Sequence, residues 1–568
     1  MRYWILIVVF FFITQLLAFA ATDDAAEPAS QTFMPDPDGN SELYQLILDQ
    51  LRRLEGPVPA RPAEHPALTL YNREAIIPPQ CYTRTEGQHN PCYVCHQDAV
   101  PGRENLMHDG VLQTEYQFSD VGLSNHWRNL FKDRSAAIQS ISDEDILRWI
   151  DADNYSDLAP RLKTVEFKGW IPDLENLSLG REAFDDEGFA LDGSHWVAFN
   201  YKPMPSTFWP TNGSTDDVMI RLAAEFRTLA NGEESREVYR TNLAIVEANI
   251  KGLDEITVRP VDERELGLDL DGDGQLGQAT VVRRLDRYVG AAADWFKQEW
   301  IYPLNTEFLH TVRYIGIGAD DSIGVSSRMK EVRYMRKHYV LPHFALANAY
   351  REEAYAKADG YLPGYIDAGP HGLDNEMGWL LQGFIEDRQG RLRANTYEET
   401  MFCMGCHTSV GATIDKVFSF ARKIDGAKGW GYINLTGMPD APNRGEQRGE
   451  IATYLERAGG GGEFRSNPEM EARFFDAEGR ADAAKIATAI DVYDLITPSR
   501  SRALELNKAY RVLVEEQSYI FGRDAFVTPP ANVYREIDPA TAPTLPANLR
   551  YRWDIRLDWS EPAQFATH

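Results

Sequence analysis

Two short stretches, Cys92-Tyr93-Val94-Cys95-His96 and Cys403-Met404-Gly405-Cys406-His407, carry the most informative pattern in the chain. Both have the form C-x-x-C-H, and their first cysteines lie 311 positions apart. Together they use four of the 5 cysteines in 568 residues. So few cysteines cannot build a disulfide scaffold for a chain of this length, so the repeated spacing needs another chemical explanation.

The C-x-x-C-H spacing is the attachment signature of c-type haem. Two thiols three positions apart on a helical turn can form thioethers with the two vinyl groups of one porphyrin, and the adjacent histidine can give a ring nitrogen to the iron. The sequence therefore predicts two covalent haem c groups, with these ligands: Cys92, Cys95 and proximal His96 for the first, and Cys403, Cys406 and proximal His407 for the second.

Two other chemistries use similar cysteine spacings. A single C-x-x-C pair can be a redox-active disulfide, as in thioredoxin-like folds, and two such pairs can bind one zinc ion. The trailing histidine in both copies favours haem, as does an N-terminus that reads as an export signal, because haem attachment takes place outside the cytoplasm.

On these two motifs the chain resembles the c-type cytochromes as a superfamily, over a small part of its length. The resemblance implies a mainly α fold, with cytochrome c-like haem-binding regions around a large central segment of mixed helix and loop. It also implies electron transfer through two covalent haems. The alternative is a dihaem oxidoreductase, peroxidase- or oxygenase-like, in which one open haem iron acts on a small-molecule substrate.

Each haem iron has a sixth position that a second side chain can fill. His108 and His126 are the candidates for the first haem because they follow the motif at a distance that allows the chain to fold back over the ring. For the second haem, Met438 precedes a proline 31 residues after the motif, an order similar to that in small cytochromes c. His371, in Gly369-Pro370-His371-Gly372, is its rival.

The fifth cysteine, Cys81, lies eleven residues before Cys92. Three interpretations stay open: a buried structural thiol, an axial thiolate or redox thiol near the first haem, and an intermolecular disulfide.

A second candidate site begins at Asp269 and has the form D-x-D-x-D-G of an EF-hand calcium loop. The twelfth position, where an EF-hand has a bidentate glutamate, is a threonine, which weakens the expected affinity. The candidate Ca²⁺ ligands are Asp269, Asp271, Asp273, Gln275 and Thr280.

Composition limits the partners. The formal net charge is −28, so the surface repels phosphate backbones and nucleic acid is not an expected partner. A redox partner protein with a basic surface is favoured, together with a small-molecule substrate if the protein is an enzyme.

The N-terminus predicts export to the periplasm or secretion. Met1-Arg2 is followed by an apolar run, and Ala18-Phe19-Ala20 matches a signal-peptidase site. Because no cysteine follows the apolar run, a lipid-anchored start is not expected. The predicted organisation is a signal peptide at 1–20, a proline-rich segment at 21–75, a first haem region at 76–130, a central segment at 131–395 with the candidate calcium loop at 269–280, a second haem region at 396–458 and a C-terminal helical segment at 459–568.

Apolar periodicity predicts helices separated by stretches of loop. Few stretches show the two-residue alternation that is typical of half-buried strands, and 168–212 is expected to be an irregular packed loop. The predicted helices cover 41–55, 143–150, 217–229, 285–300, 341–357, 481–493 and 503–516.

Overall fold

The computed structural model describes residues 70–84, 92–98, 108–115, 118–205, 209–359, 361, 364–408, 410–458, 467–542, 548 and 550–560. The predicted signal peptide and the predicted helix at 41–55 lie outside these ranges. All the described residues belong to one compact unit, residues 61–568.

An antiparallel sheet, eight-stranded in the part of the chain that the structure describes, organises this unit. The strands are β1 (Val197–Ala198), β2 (Thr215–Arg221), β3 (Glu255–Asp262), β4 (Gln278–Arg283), β5 (Glu307–Ile317), β6 (Ile323–Lys337), β7 (Ile366–Asp367), β8 (Leu373–Asp374), β9 (Trp379–Glu386) and β10 (Leu392–Ala394). The strand order in the sheet is β1-β2-β5-β6-β9-β8-β7, and β10 pairs with β9. A separate hairpin consists of β3 and β4.

This sheet shows that the prediction of a mainly α fold is wrong. The segment predicted as a helix at 217–229 begins in strand β2, six of whose seven residues are buried, and continues as loop and the 3-10 helix Ala224–Arg227. A strand that is buried on both faces has no polar alternation, so its apolar residues can be mistaken for a helical stripe. The predicted helix at 285–300 is a loop with one short 3-10 turn, Gly290–Ala292.

Other helix predictions are confirmed. The segment predicted at 143–150 is a helix that begins after Ser142, whose side chain accepts a hydrogen bond from the Asp145 N–H at 3.1 Å. The predictions at 341–357 and 503–516 also match helices, whereas 481–493 divides into two short ones. The α-helices are α1 (Cys92–Cys95), α2 (Leu112–Glu115), α3 (Ser135–Ser140), α4 (Asp143–Asp151), α5 (Leu158–Thr164), α6 (Arg236–Lys251), α7 (Glu263–Leu266), α8 (His343–Ala358), α9 (Tyr397–Met401), α10 (Glu450–Ala458), α11 (Pro468–Phe474), α12 (Ala483–Ile486), α13 (Val492–Ile496) and α14 (Arg500–Glu516).

Short 3-10 helices interrupt the loops of the described chain. The segment 168–212 is irregular apart from β1 and two of these turns, as its composition predicts. The 3-10 helices are Pro79–Tyr82, Arg128–Phe131, Leu177–Ala183, Pro210–Asn212, Ala224–Arg227, Gly290–Ala292, Gly369–His371, Phe402–Gly405, Phe420–Arg422, Gly426–Gly429 and Tyr519–Phe521.

Strand register places polar side chains on one face of the sheet. Val218 of β2 pairs with His310 of β5, which pairs in turn with Arg333 of β6. Residues directly opposite one another in a ladder share a face, so these three form one row across the sheet. All three line one cavity together with Cys403 and His407, so this row faces the second cysteine motif.

Candidate functional site

The two C-x-x-C-H segments meet in the folded chain. The backbone N–H of Ala412 donates to the carbonyl oxygen of Cys95 at 3.0 Å, which joins the first motif to the loop that follows the second. Gly411 allows this approach, because a Cβ there would lie 2.5 Å from the carbonyl oxygen of Gln97. Sequence separation concealed this contact, which brings both predicted haem regions together.

The histidine of the first motif is held by a carboxylate. Nδ1 of His96 lies 2.8 Å from Oδ2 of Asp109. The other oxygen of Asp109 accepts a hydrogen bond from the backbone N–H of Gln97 at 2.9 Å, so the carboxylate is itself fixed. Because a carboxylate can only accept, Nδ1 of His96 carries a proton, and the neutral form of the ring has its lone pair on Nε2.

The histidine of the second motif is held by a backbone carbonyl. Nδ1 of His407 donates to the oxygen of Lys416 at 2.8 Å, and a carbonyl likewise can only accept. Burial lowers the pKa of His407 to about 4, although the hydrogen bond to Lys416 acts in the opposite direction. The ring is therefore neutral at pH 7, with its lone pair on Nε2.

Both histidines thus have the arrangement found in metal-ligating imidazoles. In such sites one ring nitrogen donates to a carboxylate or carbonyl, which fixes the ring and its tautomer, and the other nitrogen binds the metal. In both residues Nδ1 makes the hydrogen bond, so Nε2 is the nitrogen that a metal would bind.

The thiols of both motifs are poorly suited to act as nucleophiles. Burial raises the pKa of Cys92 to about 12, and burial also raises the pKa of Cys403. The pKa of Cys95 is raised by burial first and then by Cys406 and Cys81, which shows that thiols of both motifs and the fifth cysteine lie near one another. A reactive cysteine needs a stabilised thiolate, so these raised pKa values argue against free thiol chemistry.

Cys81 belongs to the same cluster. It lies in the 3-10 helix Pro79–Tyr82, and its pKa is raised by burial and by the neighbouring Cys92 and Cys406. The three interpretations of Cys81 stay predictions.

Two adjoining cavities border the second motif. Their free space, including the part open to solvent, is about 520 and 1000 Å³, while the room accessible to a water molecule is about 40 and 100 Å³. A group larger than an ion would therefore lie partly in the open, solvent-facing part. The cavities share five lining residues: His310, Arg333, Cys403, His407 and Phe418.

His310 and its neighbours were not found by sequence reasoning. Nε2 of His310 lies 3.3 Å from Oδ2 of Asp216, and that carboxylate also accepts the hydroxyl hydrogen bond of Tyr201. Because β5 was not predicted, a lone histidine in it gave no usable signal. In β6, Arg333 pairs with Glu331 at 2.9 Å, and Arg523 reaches the same carboxylate at 2.9 Å.

Neither of the two cavities beside the second motif includes His371 or Met438, the candidates for the second haem, in its described lining. The same holds for His108 and His126, which were predicted for the first haem and whose motif lines neither cavity. His126 stacks edge-on against Tyr71 at 5.8 Å, and Met438 is buried in the apolar core. Their roles as distal ligands stay predictions.

The candidate calcium loop gains a ligand that the sequence pattern did not indicate. Carboxylate oxygens of Glu263, Asp269 and Asp271 lie within 4.8 Å of one another. Glu263, from α7, accepts hydrogen bonds from the N–H groups of Leu270 at 2.6 Å and Gly277 at 2.8 Å, so it holds both ends of the loop.

The other predicted calcium ligands, Asp273, Gln275 and Thr280, are not members of that trio. Asp273 caps the N–H of Gln275 at 2.7 Å, and Thr280 lies in strand β4. Glu263 supplies the acidic group that the twelfth loop position lacks.

Comparison with known proteins gives the family. A lipoprotein family model matches residues 66–492. The chain is 30% identical over 523 residues to an uncharacterized lipoprotein of Aquifex aeolicus (strain VF5), which covers 80% of this chain and 86% of the relative. The chain therefore belongs to this lipoprotein family.

Other similarities are more limited. A glycogen synthase of Lacticaseibacillus casei (strain BL23) is 27% identical over 124 residues, 21% of this chain and 24% of that protein. No solved structure matches the chain.

The family corrects several predictions. The assignment to the c-type cytochromes is wrong, because the family that matches is a lipoprotein family and no cytochrome family matches. The electron-transfer function and its alternative, a peroxidase- or oxygenase-like dihaem oxidoreductase, are overturned with it. The physical reason is that two five-residue motifs specify local chemistry and leave the fold of the other residues undetermined.

Membership of a lipoprotein family identifies the chain as an exported protein of the cell envelope. Within the ranges that the structure describes, no helix has the length and apolar character needed to cross a bilayer.

Proposed function

We propose that this member of the lipoprotein family is a periplasmic or secreted protein that holds a prosthetic group covalently at its two cysteine pairs. The observation that carries the proposal is that the two motif histidines make the same kind of hydrogen bond through Nδ1. In each, an acceptor 2.8 Å from Nδ1 leaves Nε2 with its lone pair.

Covalent haem is the group that the C-x-x-C-H spacing predicts, and this prediction concerns the motifs alone. The described donor set fits it. Each motif presents two thiols and one imidazole whose orientation is fixed, and the segments lie against each other through Ala412 and Cys95. Bound haem would supply an iron centre that Nε2 of His96 or of His407 ligates.

A single zinc ion shared by the two motifs is less well supported. Among the described residues, Glu263, Asp269 and Asp271 form the metal-compatible group whose ligand atoms lie within 4.8 Å of one another, and it contains no cysteine or histidine. The sulfur and nitrogen ligands of a four-coordinate zinc ion would lie within 4.8 Å of one another, and no such group of cysteines and histidines is found among the described residues.

The test is the absorption spectrum and pyridine haemochrome content of protein purified from an export-competent host. The proposal expects two groups per chain, one after Cys92→Ala/Cys95→Ala and one after Cys403→Ala/Cys406→Ala. Cys81→Ser is the matched control, since it alters a thiol of the same cluster outside both motifs, and it should retain two. A colourless wild-type protein would overturn the proposal.

The calcium prediction is a separate proposal for the same protein. The convergence of Glu263 with Asp269 and Asp271 supports a structural Ca²⁺ at this loop, since hard oxygen ligands from carboxylates suit that ion.

A basic protein partner stays a prediction from the net charge of −28.

A further inference from the structure

Lys330, in strand β6, differs from four other buried lysines in having no acidic partner. Lys202, Lys251, Lys337 and Lys423 each pair with a carboxylate at a distance between 2.5 and 2.9 Å. Lys330 is 1% exposed, and among the described residues no carboxylate lies within 4.0 Å of its Nζ. A buried ammonium group is costly unless an opposite charge compensates it.

The amine of Lys330 lies in the wall of the larger of the two cavities beside the second motif. Nζ donates to the carbonyl oxygen of Gly213 and to Oγ of Ser214 at 3.1 Å. It also lies 4.2 Å from the ring centroid of Tyr510. Lys330, Ser214 and Tyr510 all line this cavity, so the contacts of Nζ place the amine at its surface.

The cavity has room for a small organic molecule. The space accessible to a water molecule is about 100 Å³. A single water molecule needs roughly 10–15 Å³ on this measure, so a ligand of several non-hydrogen atoms fits.

Most of the other charged groups in this lining are paired within the protein. Asp216 faces His310 at 3.3 Å. Glu331 lies 2.9 Å from Arg333 and 2.9 Å from Arg523. These acidic groups therefore have partners other than Lys330.

Two further polar groups of the lining lack a hydrogen-bond partner in the described part of the chain. They are Oδ2 of Asp524 and the hydroxyl of Tyr510, and both atoms are buried. Burial raises the pKa of Asp524 to about 6, although Arg523 and Lys330 lower it. A carboxyl group with such a pKa can both give and accept protons near pH 7.

The same environment makes Lys330 a better nucleophile than an ordinary lysine. Burial lowers the pKa of Lys330 to about 7, although Glu386, Glu331 and Asp524 act in the opposite direction. About half of these amines are uncharged at pH 7, whereas an ordinary lysine, with a pKa of about 10.4, is almost entirely protonated. An uncharged, desolvated lysine amine is the group that attacks carbonyl carbons in Schiff-base chemistry.

We propose that Lys330 forms a Schiff base with a small aldehyde or ketone that enters this cavity. The lone pair of Nζ attacks the carbonyl carbon, and a C–N bond forms. The nitrogen loses its two protons, while the carbonyl oxygen takes up two protons and leaves as water. A C=N bond thus replaces the C=O bond with the net loss of one water molecule. Asp524 and Tyr510 are the lining groups that exchange these protons.

This proposal goes beyond the proposed function and does not rest on it, because an amine and a carbonyl carbon react without a metal. Cys403 and Cys406 line the same cavity, so a group bound to them would adjoin the Schiff base. The two modifications are measured on different peptides, so failure of one is distinguishable from failure of the other.

The test is reductive alkylation of the exported full-length protein at pH 7 with acetaldehyde and cyanoborohydride. Hydride from cyanoborohydride adds to the carbon of the C=N bond and leaves a stable N-ethyl amine, which peptide mapping by mass spectrometry locates. We expect Lys330 to react at least about tenfold faster than Lys168, whose side chain is 73% exposed. The rate at Lys330 should saturate with acetaldehyde concentration, whereas the rate at Lys168 should rise linearly.

Lys337 is the matched buried control. It lies in the same strand and its side chain is also 1% exposed, but Asp415 holds its ammonium group at 2.5 Å, so it should stay unmodified. Alkylation of Lys330 no faster than that of Lys337 would overturn the proposal, and so would a rate at Lys330 that shows no saturation. Both comparisons use the wild-type protein and do not depend on any variant folding.

Discussion

Oδ2 of Asp109 lies 2.8 Å from Nδ1 of His96, thirteen residues earlier in the chain. The carboxylate thereby fixes the orientation of the imidazole and keeps a proton on Nδ1. In the proposed function Asp109 acts on the bound group through His96 and is a positioning residue.

Replacing Asp109 with alanine should weaken the hold of His96 on the metal by about 10–100-fold, the usual effect of removing such a partner. The measurement is a titration with imidazole, which competes with His96 for the metal, followed by the absorption of the bound group. Asp120→Ala, at an exposed carboxylate in the same region, should leave the titration unchanged. An unaltered midpoint in Asp109→Ala would show that the hydrogen bond has no such role.

The two consecutive aspartates of β2 should differ in their effect on stability. Asp217→Asn leaves the buried guanidinium of Arg313 without its counter-charge, and should lower the free energy of unfolding by about 3–5 kcal/mol. Asp216→Asn removes a carboxylate that faces only an imidazole and a hydroxyl, so its cost should be smaller, about 1 kcal/mol. Urea denaturation measures both, and equal losses would contradict the distinction between them.

Glu450 should make the protein sensitive to acid. Burial by itself would raise the pKa of Glu450, but Arg422 and Lys202 outweigh it and lower the pKa from 4.5 to about 2. The folded state therefore binds this proton more weakly than the unfolded state does. The stabilisation is fully present above pH 4.5 and is lost as the pH falls toward 2.

Glu450→Gln should consequently show a flatter dependence of unfolding free energy on pH between 4.5 and 2 than the wild-type protein. Glu456, in the same helix α10, has a side chain that is 58% exposed, so Glu456→Gln is the matched control and should retain the wild-type slope. Identical slopes in all three proteins would refute the assignment.

Calcium should stabilise the loop that Glu263 closes. Ca²⁺ at about 1 mM, the range of weak extracellular sites, should raise the melting temperature, and chelation should reverse the change. Asp271→Asn should abolish the shift, whereas Asp286→Asn, at an exposed carboxylate outside the loop, should not. A melting temperature that does not respond to Ca²⁺ would exclude this site.

The limits of prediction from sequence follow from particular elements. Helix α4 could be predicted, because Ser142 caps it and its apolar residues have helical spacing. Strand β2 could not, because almost all of its residues are buried and the alternation that identifies a strand is missing. Because β2 and β5 were not predicted as strands, the positions of Asp216 and His310 could not be predicted either. Only the strand register brings these two residues beside the second motif.

The candidate site was predicted in part for a similar reason. Cys95 and Cys406 carry a local pattern that can be read directly, but their proximity depends on contacts between residues more than 300 positions apart, such as that of Ala412 with Cys95. Glu263 shows the same limit, because it completes the calcium trio from outside the loop that the motif defines.

The central claim is that both cysteine pairs are covalently bound to a prosthetic group, and intact-mass spectrometry of the exported wild-type protein tests it most directly. We expect a mass that exceeds that of the processed polypeptide by two haem groups, with the added mass on the peptides that contain Cys92–Cys95 and Cys403–Cys406. A mass equal to that of the polypeptide alone would contradict the claim.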